Sequence, residues 1–169
     1  SAKLDVSVAI ILTVFKRDHF LEQLAAVATQ SVLPAAVYVY QDENHIDILP
    51  YLAAIKKGAF DREIELAHPY VSSLLPLPFE LFHIHSSRNF KYHGRFAQMQ
   101  LLSEDYIALF DDDKIPGPRW VEHALGESIS RGSIIGYSGR LWTGSKWYHV
   151  PLYRIRETVP VDYVGQCWV

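Results

Sequence analysis

The segment Tyr106-Ile107-Ala108-Leu109-Phe110-Asp111-Asp112-Asp113-Lys114-Ile115-Pro116 is the clearest indication of how this chain folds. Its first five residues are uncharged and mostly apolar, which is typical of a strand buried in a parallel sheet. Three aspartates follow this strand, and Pro116 lies in the turn that leads to the next helix. Open α/β sheets bind ligands outside the carboxyl ends of their strands. The segment therefore predicts a binding site at that edge of an α/β sheet.

The aspartate triplet suggests a cation. Two carboxylates about 5 Å apart repel by about 1 kcal/mol in water and by about 3 kcal/mol at a surface-like dielectric. In an extended segment Asp111 and Asp113 share one face and Asp112 points the other way. Such a pair suits Mg²⁺ or Mn²⁺ that carries a substrate phosphate, since hard cations prefer oxygen ligands. An acidic cluster favoured by the dipole of the following helix is the alternative explanation.

Composition narrows the class of protein. The 169 residues are 49% hydrophobic and 21% charged, which is ordinary for one globular domain spanning residues 1–169. A net charge of −3 argues against nucleic acid as a main partner. The single cysteine excludes an internal disulfide and disfavours a cysteine-based zinc site. No apolar run reaches membrane-spanning length, and without a signal-peptide pattern a cytoplasmic location is favoured.

Strand and helix patterns alternate along the chain. Apolar runs predict strands, and helical spacing of apolar residues predicts the helices between them. We expect a mostly parallel central sheet flanked by helices, that is, a Rossmann-like α/β fold. Asp18 is the expected cap of the first helix, a helix is expected to begin at Arg95, and residues 142–148 are expected to form an aromatic loop. The strands are expected at residues 6–15, 36–40, 80–85, 106–110 and 133–137 and within 159–169.

Five segments, in this order, resemble those of a known family. They are Ile10-Ile11-Leu12-Thr13-Val14-Phe15-Lys16-Arg17, Gln30-Ser31-Val32-Leu33-Pro34 with Asp42 after it, Arg88-Asn89 with Gly94-Arg95, Asp111-Asp112-Asp113 with Pro116, and Val161-Asp162-Tyr163-Val164-Gly165. The family is that of the GT-A glycosyltransferases, especially its family-2-like group, which transfer a sugar from a nucleotide donor. The resemblance covers nearly the whole chain and implies a donor-nucleotide half at about residues 1–115 and a partial acceptor half at about residues 116–169.

The resemblance implies an activity and its cofactor. The expected reaction is a metal-dependent transfer of a sugar, from a donor that is UDP-linked, to a hydroxyl group, with inversion at the anomeric carbon. Mn²⁺ or Mg²⁺ is the expected cofactor, and a glycan, a protein or a small molecule is the expected acceptor. A nucleotide- or carbohydrate-binding domain of the same fold, without turnover, is the alternative.

Residue roles also follow from the resemblance. It implies that Asp113 contacts the metal, that Asp111 shares the metal or holds the ribose, and that Asp112 assists nucleotide binding. The other nucleotide contacts expected from it are Thr13, Phe15, Arg17, Asp42, Arg88 and Arg95. Five of these six have a plainer explanation as well: helix capping for Asp42, burial for the phenylalanine, and a solvated surface for the three arginines.

The general base is the part of the expected site that the matching segments do not supply. The family usually places this base at a position that would fall beyond Val169, so we expect either a longer protein or a substitute within residues 1–169. Asp162 is the candidate substitute. His149 is a minor candidate as a third metal ligand, whereas His83 and His85 are interpreted as packing or edge residues.

Overall fold

The computed structural model describes residues 5–149 and 157–169. In chain order, the strands and helices are β1 (Val8–Val14), α1 (Phe20–Ala28), β2 (Ala36–Asp42), α2 (Leu49–Lys57), α3 (Arg62–Ala67), a 3₁₀ helix (Val71–Leu74), β3 (Glu80–Ser86), α4 (Tyr92–Met99), β4 (Tyr106–Phe110), α5 (Trp120–Arg131), β5 (Gly136–Trp142), β6 (Trp147–His149) and β7 (Tyr163–Trp168).

The strands form one sheet in the order β3-β2-β1-β4-β7-β5-β6. Strand β1 pairs in parallel with β2 and β4, and β2 pairs in parallel with β3. Strand β7 is antiparallel to both β4 and β5, and β6 is antiparallel to β5. Five of the seven strands, β1 to β5, therefore run in the same direction. The expected α/β architecture with a mostly parallel central sheet is confirmed.

Side chains alternate between the two faces of the sheet along each strand, and each face has its own hydrophobic core. In β1, Ile10 and Leu12 belong to the larger core, which also contains Phe20 and Leu24 of α1 and residues of α2 and α5. Ile11 points to the opposite face, where a smaller core beside α4 contains Tyr40 and Leu109. Burial on both faces explains why β1 reads as a continuous apolar run. The sheet is thus covered by helices on both sides.

Two helices end at a glycine. Gly58 ends α2 and Gly132 ends α5, both in the left-handed conformation with φ of 77° and 58°. The expected cap of α1 is wrong, because His19 rather than Asp18 occupies the N-cap position.

Other boundaries also differ from those expected. Helix α4 begins at Tyr92, so Arg95 lies inside the helix and not at its start. Residues 142–148 are not a loop throughout, because Trp142 and Trp147 pair across a β5–β6 hairpin and only residues 143–146 connect the two strands. Paired aromatic residues stabilise such a hairpin. Gly144, with a φ of 86°, lies in the short connection between its two strands. Within the described residues no helix is long and apolar enough to cross a bilayer, and Cys167 is a buried free thiol.

Candidate nucleotide and metal site

The aspartates form a β-turn and not the end of an extended strand. Strand β4 ends at Phe110, and the Lys114 N–H donates to the Asp111 carbonyl at 3.0 Å. Asp112 and Asp113 are therefore the two central residues of the turn. The expectation that Asp111 and Asp113 share a face through strand alternation is wrong, because the chain leaves the extended conformation before Asp112. We call the segment Asp111–Lys114 the aspartate turn.

Strand alternation does predict which face of the sheet Asp111 lies on. In β4, Leu109 belongs to the core beside α4, and a residue two positions later points to the same face. By the same alternation, Asp42 follows Tyr40 and Thr13 follows Ile11 on that face. Because β1, β2 and β4 are neighbouring parallel strands, their carboxyl ends meet at one edge of the sheet. Thr13, Asp42 and Asp111 therefore converge below α4.

A cavity of about 390 Å³ opens at this edge. It contains eight of the residues expected from the sequence: three aspartates of the turn, two residues from the end of β1, Arg17, one acidic residue from β2 and an arginine from α4. Within the described part of the chain, its lining consists of Thr13, Val14, Phe15, Arg17, Tyr40, Asp42, Asn89, Lys91, Tyr92, Arg95, Asp111, Asp112 and Asp113. Four carboxylates, three cationic side chains and three aromatic rings thus share one cavity.

Every carboxylate of the turn has a cationic neighbour. Arg95 Nη1 forms an ion pair with Asp111 Oδ1, and these two side chains are 12% and 28% exposed. Arg17 Nη1 lies 2.8 Å from Asp112 Oδ1, and the Lys16 N–H donates to the other oxygen of Asp112 at 3.3 Å. The pairing offsets the repulsion between the carboxylates, and it also keeps positive charge beside the cavity.

Asp113 is held least tightly of the three. Its Oδ2 lies 3.4 Å from Lys114 Nζ and 3.9 Å from Arg17 Nη1, and its side chain is 37% exposed. Both contacts are longer than a strong charge-assisted hydrogen bond, so the oxygens of Asp113 remain accessible to a further cation.

Aromatic groups form the part of the cavity near β1 and β2. The ring of Phe15 contacts His45 edge to face at 4.9 Å, and Lys16 Nζ lies 4.9 Å from the Phe15 ring centre. The Tyr40 hydroxyl donates to Asp42 Oδ1 at 3.0 Å. Burial, together with this hydrogen bond, raises the pKa of Tyr40 above its usual value. The phenol therefore stays a donor at neutral pH and fixes the Asp42 carboxylate.

The chemistry of these residues fits a divalent cation bound together with a phosphate. Within residues 5–149 and 157–169, no group of three His, Cys, Asp or Glu side chains converges to hold a metal by itself. Mg²⁺ and Mn²⁺ commonly take one or two carboxylates and complete their coordination with substrate phosphates and water. Asp111 and Asp113 are the two carboxylates of the turn that would supply such a pair, with hard oxygen atoms only.

Some expected residues lie outside the cavity lining. Arg88 is exposed and its N–H donates to Ser86 Oγ at 3.3 Å in the loop after β3. Asp162 precedes β7, where its Oδ2 accepts the Trp142 N–H at 2.7 Å. His149 ends β6, opposite Arg140.

Val169, beyond which the resemblance places the family's general base, is held in the sheet. Its N–H donates to the Ile135 carbonyl at 2.8 Å, and its carbonyl accepts the Ile135 N–H at 2.9 Å. Its side chain is 6% exposed and belongs to the larger hydrophobic core. Val169 is thus a packing residue that directly follows β7. The position of the base beyond it stays a prediction, as does the substitute role of Asp162.

The histidine pair of β3 behaves as a packing feature. His83 Nε2 lies 3.0 Å from Gln41 Oε1, and its ring centre lies 6.2 Å from that of His85. Burial and the neighbouring His85 lower the pKa of His83, so the neutral ring is favoured.

Sequence reasoning missed the contacts of two buried glutamines in the α1 region. Gln23 Nε2 donates to the carbonyls of Asp111 and Lys114, at 2.7 Å each. Gln30 Nε2 donates to the Gly117 carbonyl at 2.7 Å, and its Oε1 accepts the Val121 N–H at 3.1 Å. The available signal was a polar residue on the apolar stripe of α1, since Gln23 falls three positions after Phe20.

A larger cavity of about 570 Å³ lies between the end of α5 and β5. Its described lining is mostly small or apolar, and Arg131, one of its two charged residues, is paired with Glu127 at 2.6 Å. Volume alone therefore does not identify the site, whereas the grouping of charges around the aspartate turn does.

Comparisons with known proteins add a distant structural likeness. No protein-family model matches the sequence. No curated protein matches it either. Among solved structures, TarS from S. aureus is similar at a TM-score of 0.44 and 13% sequence identity, over 80% of this chain. The chain corresponds to 21% of the TarS chain, so it spans about one fifth of that protein. A likeness at this score and identity assigns no role to any residue of this chain.

Proposed function

We propose that this chain is the donor-binding part of a metal-dependent glycosyltransferase. The reaction would move a sugar from a nucleotide sugar, UDP-linked, to a hydroxyl acceptor, with inversion at the anomeric carbon. The observation that carries the proposal is the cavity of about 390 Å³, where acidic, basic and aromatic side chains meet at the carboxyl ends of β1, β2 and β4. A nucleoside diphosphate needs all three kinds of contact.

The β1 and β2 side of the cavity would hold the nucleoside. The partly buried ring of Phe15 offers an apolar surface to a base, and Thr13 lies two positions before it on the same strand end. The Asp42 carboxylate, fixed by the Tyr40 hydroxyl at 3.0 Å, can accept hydrogen bonds from a base N–H or a ribose hydroxyl.

The aspartate turn would hold the diphosphate through a metal. Asp111 and Asp113 are the residues that would bind Mn²⁺ or Mg²⁺, and Asp112 fixes the turn through Arg17 at 2.8 Å. A divalent cation supplies neutralisation of the charge that develops on a departing diphosphate. Arg17 and Arg95 line the same cavity. They would also stabilise the negative charge on the departing diphosphate, because preorganised cations stabilise growing negative charge.

The acceptor hydroxyl must lose a proton to a base during transfer. Asp162 is the candidate in this chain. It precedes β7, which runs antiparallel to β4 with Trp168 opposite Leu109, so Asp162 lies on the carboxyl-end side of β4, about 13 Å farther along the strand direction than Asp111. Its Oδ2 accepts a hydrogen bond from the Trp142 N–H. If Asp162 acts as the base, its other carboxylate oxygen would accept the proton.

The test is titration calorimetry with UDP and with GDP, each with and without Mn²⁺. We expect UDP to bind, to bind more tightly with Mn²⁺, and to lose this metal dependence in Asp113→Ala. The matched control is Asp61→Ala, an exposed aspartate whose partner is Lys57 at 3.7 Å. Absence of metal-dependent nucleotide binding, or its survival in Asp113→Ala, would overturn the proposal. Binding of UDP-sugars without release of UDP in any acceptor mixture would favour the non-catalytic alternative.

A further inference from the structure

Gln23 contacts both ends of the aspartate turn. Its side chain is 1% exposed, and its amide nitrogen donates one hydrogen to the Asp111 carbonyl and the other to the Lys114 carbonyl, both at 2.7 Å. These are the first and last residues of the turn, which is also closed by the Lys114 N–H at 3.0 Å. One planar NH₂ group therefore spans the whole turn from the side of α1.

From this geometry we infer that Gln23 is a positioning residue, which holds the aspartate turn in the conformation that presents Asp111 and Asp113 to the cavity. A side chain that bonds only to carbonyls contributes no ligand, so its effect reaches the site through the backbone. Buried amide donors in a water-poor environment also fix geometry tightly, because an unpaired carbonyl there is costly. The functional part of the inference rests on the proposed metal and nucleotide site.

Gln30 provides a matched comparison within the same molecule. It is also a buried glutamine, 4% exposed, and its amide also bonds to the segment after β4. Its contacts after β4, however, are with the Gly117 carbonyl and the Val121 N–H at the start of α5, and it also donates to the Ala26 carbonyl of α1 at 3.0 Å. Removing Gln30 should therefore loosen the start of α5, while removing Gln23 should loosen the aspartate turn.

The experiment compares Gln23→Met and Gln30→Met with the wild type, since methionine keeps a similar volume and removes the amide. Amide hydrogen exchange is followed by NMR at Lys114 and at Val121. Gln23→Met should speed exchange at Lys114 by about tenfold, the worth of roughly one hydrogen bond, and leave Val121 close to the wild type. Gln30→Met should do the reverse.

The second readout is the affinity for UDP with Mn²⁺. Gln23→Met should weaken it by about tenfold or more, as expected when the support of a metal ligand is removed, whereas Gln30→Met should leave it unchanged. Gln23→Asn, which keeps the amide but shortens its reach, is the second variant and should act in the same direction if Gln23→Met does not fold.

Four results separate the inference from the proposed function. Unchanged exchange at Lys114 in the Gln23 variants, or equal loosening of the turn by Gln30→Met, would overturn the positioning role. Faster exchange at Lys114 with unchanged UDP affinity would also overturn it. Nucleotide binding would then not depend on how Gln23 holds the aspartate turn. If the wild type shows no metal-dependent nucleotide binding, the proposed function fails, and the exchange data still decide whether Gln23 holds the turn.

Discussion

The hydroxyl oxygen of Tyr40 occupies the space that a side chain at Gly94 would need. Helix α4 can therefore approach β2 only with glycine at this position, and the next residue, Arg95, is thereby placed within reach of Asp111. We expect Gly94→Ala to push α4 away from the sheet, to destabilise the fold by about 1–3 kcal/mol and to weaken UDP binding. Urea unfolding and calorimetry measure the two effects.

Gly126 is the matched control for that substitution. It lies inside α5, and an added Cβ would meet open space. Gly126→Ala should therefore raise the free energy of unfolding by up to about 1 kcal/mol through helix propensity alone, with UDP affinity unchanged. If Gly94→Ala were equally stabilising, the close packing of α4 on Tyr40 would be wrong.

Removal of Arg95 should have opposite effects on two ligands. Arg95 and a metal ion would both interact with Asp111, so Arg95→Ala should strengthen binding of Mn²⁺ alone. The same change removes a cation from the cavity and should weaken binding of UDP with Mn²⁺ by about tenfold or more. Calorimetry with each ligand checks this, with Arg88→Ala, outside the cavity lining, as the control. Parallel changes for the two ligands would argue against a shared role of Asp111.

Acid should weaken the contact between the start of α5 and Ser31, in the segment after α1. Glu122 accepts hydrogen bonds from Arg119 at 2.9 Å and from Ser31 Oγ at 2.7 Å, and these bonds lower the pKa of Glu122 to about 2. A lowered pKa means that the stabilisation is present above the ordinary value of 4.5 and is lost as the pH falls toward 2.

The corresponding measurement is urea unfolding of the wild type and Glu122→Gln at several pH values. The difference between their free energies of unfolding should be largest at neutral pH and should shrink as the pH falls below 4.5. Glu63→Gln, at an exposed position of α3, serves as the control for a general acid effect. A difference that stays constant with pH would mean that the Glu122 hydrogen bonds do not persist in solution.

Cys167 should be unreactive in the folded protein. The thiol lies 5% exposed in β7, and burial, followed by the charge of Asp111, raises its pKa to about 12. At pH 8 a thiol reagent should therefore modify the protein only at the rate at which β7 opens, and at full speed in urea. Fast modification of the native protein would show that β7 is not seated between β4 and β5.

Part of this arrangement was predictable from the sequence. The apolar run before Asp111 correctly predicted the strand β4, and the three aspartates do follow it at the edge of the sheet. Alternation in β1, β2 and β4 then brings Thr13, Asp42 and Asp111 to one face, because the period of a strand is local and strict.

The rest depended on contacts between residues distant in sequence. The aspartate turn is set by Gln23, 88 positions before Asp111, and no local pattern reveals which carbonyl a buried amide will reach. Helix α4 packs closely on Tyr40 at Gly94, and it begins at Tyr92, three residues before the start at Arg95 that the local pattern suggested. The ion pairs of Arg17 and Arg95 also follow from the folded geometry alone.

Paramagnetic broadening by Mn²⁺ would locate the metal without any assumption about activity. In ¹⁵N spectra recorded with UDP and substoichiometric Mn²⁺, the signals of Asp111 to Lys114 and Arg95 should disappear first. Asp105, an aspartate bonded to Ser7 at 2.8 Å, lies about 20 Å away at the opposite edge of the sheet and should remain sharp. Early loss of signals around Asp105, or equal broadening across the chain, would contradict a metal site at the aspartate turn.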